Sequence, residues 1–331
     1  MSGNPIKYPV PPSLAQLGLG RLYANSQITE LIPISTGFAN SIFSFKKDGS
    51  SLILRMPPSI DPALIREVEV MKALFREGIP VPKVLEYDPA NENPFGHPFM
   101  IMERLSGKNL FVAIEGLNDD ERDNLMIQMA EILHRIHGVN ATDLKVMKFT
   151  TLQSFIDDGL SSIKRFATLS DVKDFGNFDD WLQKNRPTEA TYNKAFIHND
   201  FHGYNIMVDG GRLSGILDWN GAVIAEEQVD VAFFSLLTEA CGYPELANEF
   251  ISEYRRISNL ELGELNYYMT AIAILKILQV PLQEKQMIET GQMGKADELR
   301  TILNRVREGF IKTIEDNTDL SADVLLNTNI V

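Results

Sequence analysis

The chain has 331 residues, of which 44% are hydrophobic and 23% charged, a composition typical of a globular protein long enough for two lobes. Its formal net charge of -14 argues against a nucleic-acid partner, because affinity for nucleic acid depends on cationic side chains that displace counterions. The single cysteine, Cys241, excludes an internal disulfide and a cysteine-based zinc site, and it favours a reducing compartment.

The N-terminus and the apolar stretches bear on the location of the protein. Residues 1–20 have neither a basic start nor a continuous apolar run, which argues against a secretory signal, and their prolines and glycines predict an arm on the surface. The most apolar later stretch, residues 269–282, is interrupted by Lys276 and Pro281 and falls short of the roughly 20 residues that a membrane span needs. We therefore expect a cytoplasmic protein without a membrane partner, and the sequence leaves its oligomeric state open.

The first hundred residues predict a small antiparallel sheet with one helix. Residues 32–56 contain three strand patterns, LIPIS, IFSFK and SLILRM, separated by the turn sequences TGFANS and KDGS. A helix pattern follows over residues 62–77, and two more strands are expected in VPKVLEYD and PFMIMERL. We predict that this sheet and helix form an N-terminal lobe of residues 1–104.

The remainder of the chain, residues 105–331, is mainly helical in pattern. The clearest helix starts behind Asn118 and stops at Gly138, with apolar residues at helical spacing. Residues 196–221, FIHNDFHGYNIMVDGGRLSGILDWNG, are the exception, because they read as two strands joined by the turn DGG. Together the two lobes predict an α+β fold, with a small antiparallel N-terminal sheet and a larger helical C-terminal lobe.

Three polar side chains are expected to converge at one end of this hairpin. With the turn centred near Gly210, Asn205 lies opposite residue 215 or 216, and Asp218 is roughly 7 Å further along the returning strand. Asp200 lies in the loop just before the hairpin. Amide and carboxylate oxygens suit a hard cation, so Asn205 and Asp218 are candidate metal ligands, and Asp200 is a candidate proton acceptor. The spacing of the three matches the pattern for phosphoryl transfer.

The two histidines of the segment, His198 and His202, are four residues apart and could instead indicate a zinc pair. Such a pair usually lies on one helix face with a glutamate between the histidines, whereas these two bracket a loop between strands. We expect His198 to fasten the loop by hydrogen bonding, and His202 either to do the same or to face a phosphate. Asp230 is expected to be a structural carboxylate that ties its helix to this loop.

Other charged side chains receive structural interpretations. Glu226 and Glu227 are expected to be a solvated pair, with attraction of a cationic substrate as the alternative. His134 and His137, at the end of the helix before Gly138, are expected to have a capping role.

The segment FIHNDFHGYNIMVDGGRLSGILDWNGA resembles the catalytic loop and metal-binding segment of the aminoglycoside phosphotransferase and choline kinase group. SLILRMPPS, REVEVMKAL, GIPVPKVLEYD and FMIMERLSG are similar to the version of this domain that is fused to some acyl-CoA dehydrogenases. The resemblance covers roughly residues 32–240. It implies a two-lobed, protein-kinase-like fold with a nucleotide-binding N-terminal lobe and a C-terminal lobe that carries catalysis and substrate binding. It also implies Mg²⁺ as cofactor and ATP or GTP as co-substrate.

The resemblance implies a role for three residues of this segment. Asp200 would be the catalytic base, and Asn205 and Asp218 would be the magnesium ligands. Arg55 stands where most relatives have a lysine on the strand. The implied partner of this cation is a glutamate on the following helix; the helical wheel favours Glu67, because its neighbouring candidate Glu69 is predicted to face solvent.

The resemblance also implies positions around the nucleotide. Backbone amides near Gly37, Phe38 and Ser41 would cover the phosphates, although the loop holds a single glycine. The backbone of Glu103 and Leu105, on the strand between the lobes, would hydrogen-bond the adenine.

The implied activity is transfer of the nucleotide γ-phosphate to a hydroxyl of a small molecule. Only eleven residues separate Asp218 from Asp230, which leaves no room for a phosphorylatable loop and argues against a protein substrate. The acidic chain suits a cationic aminoglycoside, whereas the resemblance that includes Arg55 points to hydroxyacyl-type metabolites, so both acceptors stay open. The alternative is a catalytically silent nucleotide-binding or scaffold protein, favoured by Arg55 and by Asn220, which replaces an acidic residue found in many relatives.

Overall fold

The structure is a computed structural model that describes residues 10–34, 40–57, 62–289 and 293–326. The helices are α1 (Pro12–Leu22), α2 (Pro62–Arg76), α3 (Leu110–Ala113), α4 (Asp119–His137), α5 (Leu152–Leu169), α6 (Gly176–Lys184), α7 (Gln228–Ala240), α8 (Pro244–Ser258), α9 (Leu265–Glu289), α10 (Met293–Thr318) and α11 (Asp323–Leu326). The strands are β1 (Ile28–Ile34), β2 (Ser41–Lys47), β3 (Ser50–Met56), β4 (Val84–Asp88), β5 (Phe99–Glu103), β6 (Lys108–Asn109), β7 (Met147–Lys148), β8 (Lys194–Ile197), β9 (Ile206–Asp209), β10 (Arg212–Ile216) and β11 (Val223–Glu226). Short 3-10 helices cover Ile114–Gly116, Glu189–Thr191 and Trp219–Gly221.

The N-terminal strands form a five-stranded antiparallel sheet in the order β1-β2-β3-β5-β4. β3 is central, and its buried Leu54 lies between Phe43 of β2 and Ile101 of β5. Apolar residues at alternate positions along a strand lie on one face, and that face can be buried. This period-two pattern is the reason that the sequence predicted the sheet. The predicted meander and the helix that follows it, α2, are confirmed.

Helix α1 packs against this sheet, and the sequence did not predict it. Leu19 is fully buried in the same apolar cluster as the sheet residues. Gly18 allows the close packing, because a Cβ atom there would lie 2.0 Å from the ring of Phe95. The prediction of a surface arm is therefore wrong for residues 10–20, since burial of apolar side chains outweighs the low helix propensity of proline and glycine. Residues 1–9 lie outside the described part of the chain.

The rest of the chain is mainly helical around one large apolar core, as predicted. α4 begins behind Asn118, which forms a capping box with Glu121, and ends at Gly138. α7 is buried along most of its length; α8, α9 and α10 pack against it, and α4 packs against α8. The predicted α+β class, with a small antiparallel sheet followed by a larger helical part, is confirmed.

Two small three-stranded sheets follow, with strand orders β10-β9-β6 and β7-β11-β8. β9 and β10 form the hairpin that the sequence predicted between Asn205 and Asp218. β6 pairs with β9, so the chain that leaves the five-stranded sheet is held directly against that hairpin. Gly107 permits this approach, because it adopts a φ of +89° and a Cβ there would lie 2.0 Å from the carbonyl oxygen of Val208. The lobe boundary predicted between residues 104 and 105 falls in this crossing and stays a prediction.

Helix α9 has the length and composition of a membrane-spanning helix, with a mean hydropathy of 1.3 over its most apolar window. Half of that window, 50%, is buried inside the protein, where Ile274 and Leu278 join the main core. The finding is weak evidence for a membrane, because the core helix of a globular protein passes the same test.

Candidate active site

The hairpin formed by β9 and β10 brings Asn205 and Asp218 to the same end. A register shift between Leu213 and Gly215 bulges β10. Leu217 donates its backbone N–H to the carbonyl oxygen of Asn205 at 2.8 Å. Asn205 therefore lies opposite Leu217, slightly beyond the predicted partner, and Asp218 follows immediately. The bulge explains the difference, because the prediction assumed an uninterrupted ladder.

Asp200 lies at the centre of three polar side chains. Its Oδ2 accepts a hydrogen bond from Asn205 Nδ2 at 3.1 Å and lies 3.3 Å from His202 Nε2. Its Oδ1 accepts a hydrogen bond from Lys276 Nζ, on α9, at 3.3 Å. The Asp200 side chain is 32% exposed, so a molecule arriving from solvent can reach the carboxylate.

The surroundings of Asp200 keep its carboxyl ionised. Burial by itself would raise the pKa, but Lys276 and then His202 outweigh burial and hold the pKa of Asp200 well below its usual range. An ionised carboxylate at this position can orient a hydroxyl group and accept its proton late in a phosphoryl transfer.

Arg55 on β3 and Glu67 on α2 form a buried ion pair. Arg55 Nη1 lies 2.6 Å from Glu67 Oε1, and the two side chains are 12% and 1% exposed. With its amide oxygen turned towards Arg55, Asn40 accepts hydrogen bonds from Nε and Nη2 at 2.9 Å each. Glu69 is 39% exposed and pairs with Lys145 instead. The structure thus pairs Arg55 with the glutamate that the helical wheel favoured.

Glu67 also connects this ion pair to Asp218. Burial raises the pKa of Glu67 to about 7, Arg55 opposes that rise, and the negative charge of Asp218 adds to it. Helix α2, which carries Glu67, packs against the 3-10 helix Trp219–Gly221 that follows Asp218. The cation of the five-stranded sheet and the carboxylate of the hairpin therefore belong to one site.

The side chains of Asn205 and Asp218 fit a Mg²⁺ ion. Asn205 turns its amide nitrogen to Asp200, which directs its oxygen elsewhere. Asp218 adopts a φ of +62°, and its Oδ1 accepts a hydrogen bond from Asn220 Nδ2 at 2.5 Å, which orients the carboxylate. An amide oxygen and a carboxylate are the hard ligands that Mg²⁺ uses together with phosphate and water. Asn220, which stands where the resemblance implies an acidic residue in many relatives, orients the Asp218 carboxylate through this hydrogen bond.

Asp230 on α7 fixes the loop that precedes Asp200. It is fully buried and accepts the backbone N–H groups of His198 and Asn199 at 2.7 Å each. Asn199 has a φ of +64°, a conformation that residues other than glycine rarely adopt, so these two hydrogen bonds stabilise an otherwise unfavourable backbone. Through these two hydrogen bonds Asp230 joins α7 to the loop.

The two histidines of the segment have different surroundings. His198 is buried, its Nε2 lies 2.9 Å from the carbonyl oxygen of Leu217, and its ring packs 4.4 Å from that of Trp219. It therefore holds the loop to the segment between the end of β10 and Asp218. His202 faces the carboxylate of Asp200. Across the residues that the structure describes, no group of three or more His, Cys, Asp or Glu side chains is arranged to hold a metal ion.

The prediction that Glu226 and Glu227 are solvated is wrong, because both are buried. Glu226 accepts the backbone N–H groups of Asn193 at 3.0 Å and Gln228 at 3.2 Å. Glu227 accepts a hydrogen bond from the Tyr254 hydroxyl at 3.1 Å. Backbone and hydroxyl donors, which no short sequence pattern reveals, compensate the burial of these carboxylates.

His137 lies in the same buried network, and the prediction that it caps α4 is wrong. Its Nδ1 lies 2.5 Å from the Tyr254 hydroxyl, and its Nε2 lies 3.1 Å from Asp230 Oδ2. Burial alone lowers the pKa of His137, but hydrogen bonds with Asp230 and Glu227 outweigh burial and raise it. The His137 ring lies within 3.4 Å of two buried carboxylates, Glu227 and Asp230, and Asp230 holds the loop before Asp200.

Replacing His137 by Gln is expected to destabilise the protein most at low pH. Because the pKa of His137 is raised in the folded state, its contribution is fully present below the ordinary histidine value of 6.5 and is lost as the pH rises through the folded-state value. Urea unfolding should show a loss of about 1–3 kcal/mol near pH ~5.5 that shrinks near pH ~9. A loss that does not change with pH would contradict the raised pKa of His137.

The predicted phosphate-covering positions are only partly described. Gly37 and Phe38 lie outside the described residues. Ser41 begins β2, and its hydroxyl accepts the backbone N–H of Val10 at 2.8 Å. The Ser41 side chain therefore serves the N-terminal segment, and only its backbone remains a candidate for phosphate binding.

Glu103 and Leu105 lie where the chain leaves the five-stranded sheet. The backbone N–H of Glu103 donates to the carbonyl oxygen of Lys83 at 3.0 Å, so this amide is already paired within the sheet. The side chain of Leu105 reaches the hairpin, since a Cβ atom on Gly215 would lie 2.6 Å from Leu105 Cδ1. The predicted base-binding strand therefore lies beside the hairpin that carries Asp218.

Lys276 is the site residue that sequence reasoning missed. In the sequence it only interrupts an apolar stretch, whereas in the structure its Nζ lies 3.3 Å from Asp200 and 4.6 Å from the centre of the Phe233 ring. A lone lysine in an apolar helix was a usable signal, because an ammonium group that packing partly buries is stabilised by an acidic partner. The sequence could not identify that partner, which lies 76 residues earlier.

Comparison with known sequences identifies one family over most of the chain. The model of the phosphotransferase enzyme family, APH, matches residues 30–260. Acyl-CoA dehydrogenase family member 11 of Homo sapiens is 30% identical over 262 residues, which cover 70% of this chain and 33% of that protein. Acyl-CoA dehydrogenase family member 10 of Mus musculus is 27% identical over 303 residues, which cover 81% of this chain and 27% of that protein. The chain spans about a third or less of the length of these relatives.

Several solved structures with the same fold are described as aminoglycoside phosphotransferases. A crystal structure described as a putative aminoglycoside phosphotransferase from Ralstonia eutropha has a TM-score of 0.66 at 17% identity, and the match covers 92% of this chain and 98% of that one. A ternary complex of a thermostable mutant of aminoglycoside phosphotransferase APH(4)-Ia with ADP and hygromycin B has a TM-score of 0.62 at 18% identity, covering 86% and 97%. At such identities the likeness concerns the fold, and it confirms the predicted two-lobed, kinase-like architecture.

Proposed function

Because the chain belongs to the phosphotransferase enzyme family, as its sequence predicted, we propose that it transfers the γ-phosphate of ATP or GTP to a hydroxyl group of a small molecule. The proposal includes dependence on Mg²⁺. The acceptor is an aminoglycoside-like compound or a hydroxylated metabolite. One structure of the same fold is a ternary complex with ADP and hygromycin B, which supports a nucleotide and a small hydroxylated molecule as the two ligands.

The observation that carries this proposal is the convergence of Asp200, Asn205 and Asp218. Asn205 hydrogen-bonds Asp200 through its side chain at 3.1 Å and Leu217, which precedes Asp218, through its backbone at 2.8 Å. A proton acceptor therefore adjoins two oxygen ligands for a cation at the end of one hairpin. This arrangement suits phosphoryl transfer, because the acceptor hydroxyl must attack the γ-phosphate in line, and Asn205 and Asp218 could hold the cation that accompanies that phosphate.

The side chains divide the work of the reaction. Asp200 orients the acceptor hydroxyl and takes its proton as the oxygen bonds to phosphorus. Asn205 and Asp218 would hold Mg²⁺, which when bound neutralises charge on the nucleotide phosphates. Arg55, fixed by Glu67, supplies a permanent positive charge from the five-stranded sheet. Most of the rate enhancement then comes from positioning and electrostatic stabilisation.

Nucleotide binding tests this proposal first. We expect ATP or GTP to raise the melting temperature of the protein in the presence of magnesium, and Asp218→Asn to weaken that effect. Absence of a shift with either nucleotide would overturn the proposed function. Nucleotide binding without hydrolysis or transfer to any acceptor would favour the catalytically silent alternative, a nucleotide-binding or scaffold protein of the same fold.

A second test addresses the ion pair between the sheet and α2. Glu67→Gln should lower kcat/KM for the nucleotide about 10- to 100-fold, because Arg55 loses the charge-assisted hydrogen bond that fixes it. Glu69→Gln is the matched control, since Glu69 lies on the same helix and faces Lys145. Steady-state kinetics with varied nucleotide measure both variants. Equal effects of the two substitutions would contradict the role of the buried pair.

A further inference from the structure

The position of Lys276 restricts which acceptors can use Asp200. Asp200 Oδ2 is occupied by Asn205 Nδ2 at 3.1 Å and by His202 Nε2 at 3.3 Å. The other oxygen, Oδ1, accepts a hydrogen bond from Lys276 Nζ at 3.3 Å. An acceptor hydroxyl that hydrogen-bonds to Asp200 must therefore approach Oδ1, directly beside the ammonium group of Lys276.

Lys276 can do more than hold Asp200. An ammonium group has three N–H donors, and within the described residues the contacts of Lys276 are one hydrogen bond to Asp200 and the face of the Phe233 ring, 4.6 Å away. The Lys276 side chain is 25% exposed, so it opens to the same solvent-accessible space as Asp200. Its remaining donors can bind an oxygen of an incoming molecule.

The charge of Lys276 bears directly on which acceptors fit. Among the described residues outside the loop 200–205, Lys276 is the one whose side chain pairs with Asp200. It places a cation at this position in a chain whose net charge is -14. An acceptor that placed its own ammonium groups beside Oδ1 would meet like charge.

We propose that Lys276 determines acceptor specificity by binding an anionic group, a carboxylate or a phosphate, next to the hydroxyl that becomes phosphorylated. This inference rests on the proposed function and selects between its two acceptor classes, in favour of anionic hydroxylated metabolites over polycationic aminoglycosides. The chemistry of the transfer is unchanged: the acceptor oxygen bonds to the γ-phosphorus, the bond from that phosphorus to the nucleotide breaks, and the hydroxyl proton passes to Asp200.

Matched acceptors provide the test. A panel in which each member of a set shares one hydroxylated carbon chain and ends in a carboxylate, a phosphate, a primary amide or an ammonium is assayed for nucleotide-dependent phosphorylation, with kanamycin as a polycationic comparison. We expect kcat/KM for an anionic member to exceed that for its amide about 10-fold or more, as for a hydrogen bond between charged groups. The carboxylate and phosphate arms identify the source of the negative charge. Preference for ammonium compounds or kanamycin would overturn the inference.

Variants separate binding of the acceptor from a purely structural role. Lys276→Met should raise KM for the anionic acceptor about 10- to 100-fold, leave KM for the nucleotide unchanged and abolish the preference over the amide. Lys276→Arg should restore most of that preference. Lys312→Met on α10 is the control, because Lys312 is 75% exposed and pairs with Asp316.

The outcomes distinguish this inference from the function on which it rests. If Lys276→Met lowered kcat equally for every acceptor and kept the preference for the anion, Lys276 would serve the phosphoryl group and the inference would be wrong. Transfer by the unaltered protein without any charge preference would also overturn the inference while leaving the proposed function intact. Failure to phosphorylate any acceptor would overturn both.

Discussion

Replacing Asp200 by Asn should lower kcat for acceptor phosphorylation by about 10²- to 10⁴-fold, the contribution typical of a positioned general base. The amide has nearly the same shape as the carboxylate, but it cannot accept a proton and it no longer pairs with Lys276. Nucleotide affinity should change little, because the proposed metal ligands are Asn205 and Asp218. A coupled assay of nucleoside diphosphate release, with initial rates at saturating acceptor, measures the effect.

The matched control for this substitution is Asp209→Asn. Asp209 ends β9 on the same hairpin and is exposed. It should keep normal kinetics, so a loss specific to Asp200 reports on the reaction rather than on the hairpin. Full turnover by Asp200→Asn would mean that another group accepts the proton, and the assignment of Asp200 would be wrong.

Asp230→Asn should lower the free energy of unfolding by about 3 kcal/mol, as expected when one member of a buried charged network is neutralised. The carboxylate accepts three hydrogen bonds, from the backbone of His198 and Asn199 and from the ring of His137. An amide group can accept with one atom only, so its nitrogen would face one of the backbone N–H groups. Urea unfolding at neutral pH measures the loss.

Asp158→Asn on α5 is the control for Asp230, because Asp158 is exposed. It should change stability by less than about 0.5 kcal/mol. We also expect Asp230→Asn to lower kcat, since the loop that carries Asp200 loses its anchor on α7. A stable, fully active Asp230→Asn variant would contradict the anchoring role.

The part of the site that the sequence predicted lies within one short segment. Asp200, Asn205 and Asp218 are close along the chain, and residue type, spacing and turn chemistry were sufficient to predict that a hairpin brings them together. Their roles in catalysis and metal binding stay predictions. The five-stranded sheet and helices α2 and α4 were likewise visible, because their apolar periodicity and caps are local properties. The bulge in β10 was not visible in the sequence, so the residue predicted to lie opposite Asn205 was slightly wrong.

The errors concern contacts made by residues that are distant in the sequence. Helix α1 is stabilised by a sheet face that the sequence does not display. Glu226, Glu227 and His137 are charged, so exposure was the simple expectation, yet hydrogen bonds from other elements allow their burial. Lys276 belongs to the same class, because packing of α9 against the rest of the helical part brings it to Asp200. Local pattern defines an element, whereas tertiary packing decides which of its charges are buried.

The central claim is that this site moves a phosphoryl group from a nucleotide to an acceptor hydroxyl. The most direct measurement supplies ATP or GTP labelled at the γ-phosphate, with magnesium and pooled hydroxylated acceptors, and follows the label by chromatography and mass spectrometry. We predict that the label appears covalently bound to an acceptor, and that Asp200→Asn prevents this. Label found only in unreacted nucleotide or in inorganic phosphate, with the unaltered protein folded and saturated with nucleotide, would contradict the claim.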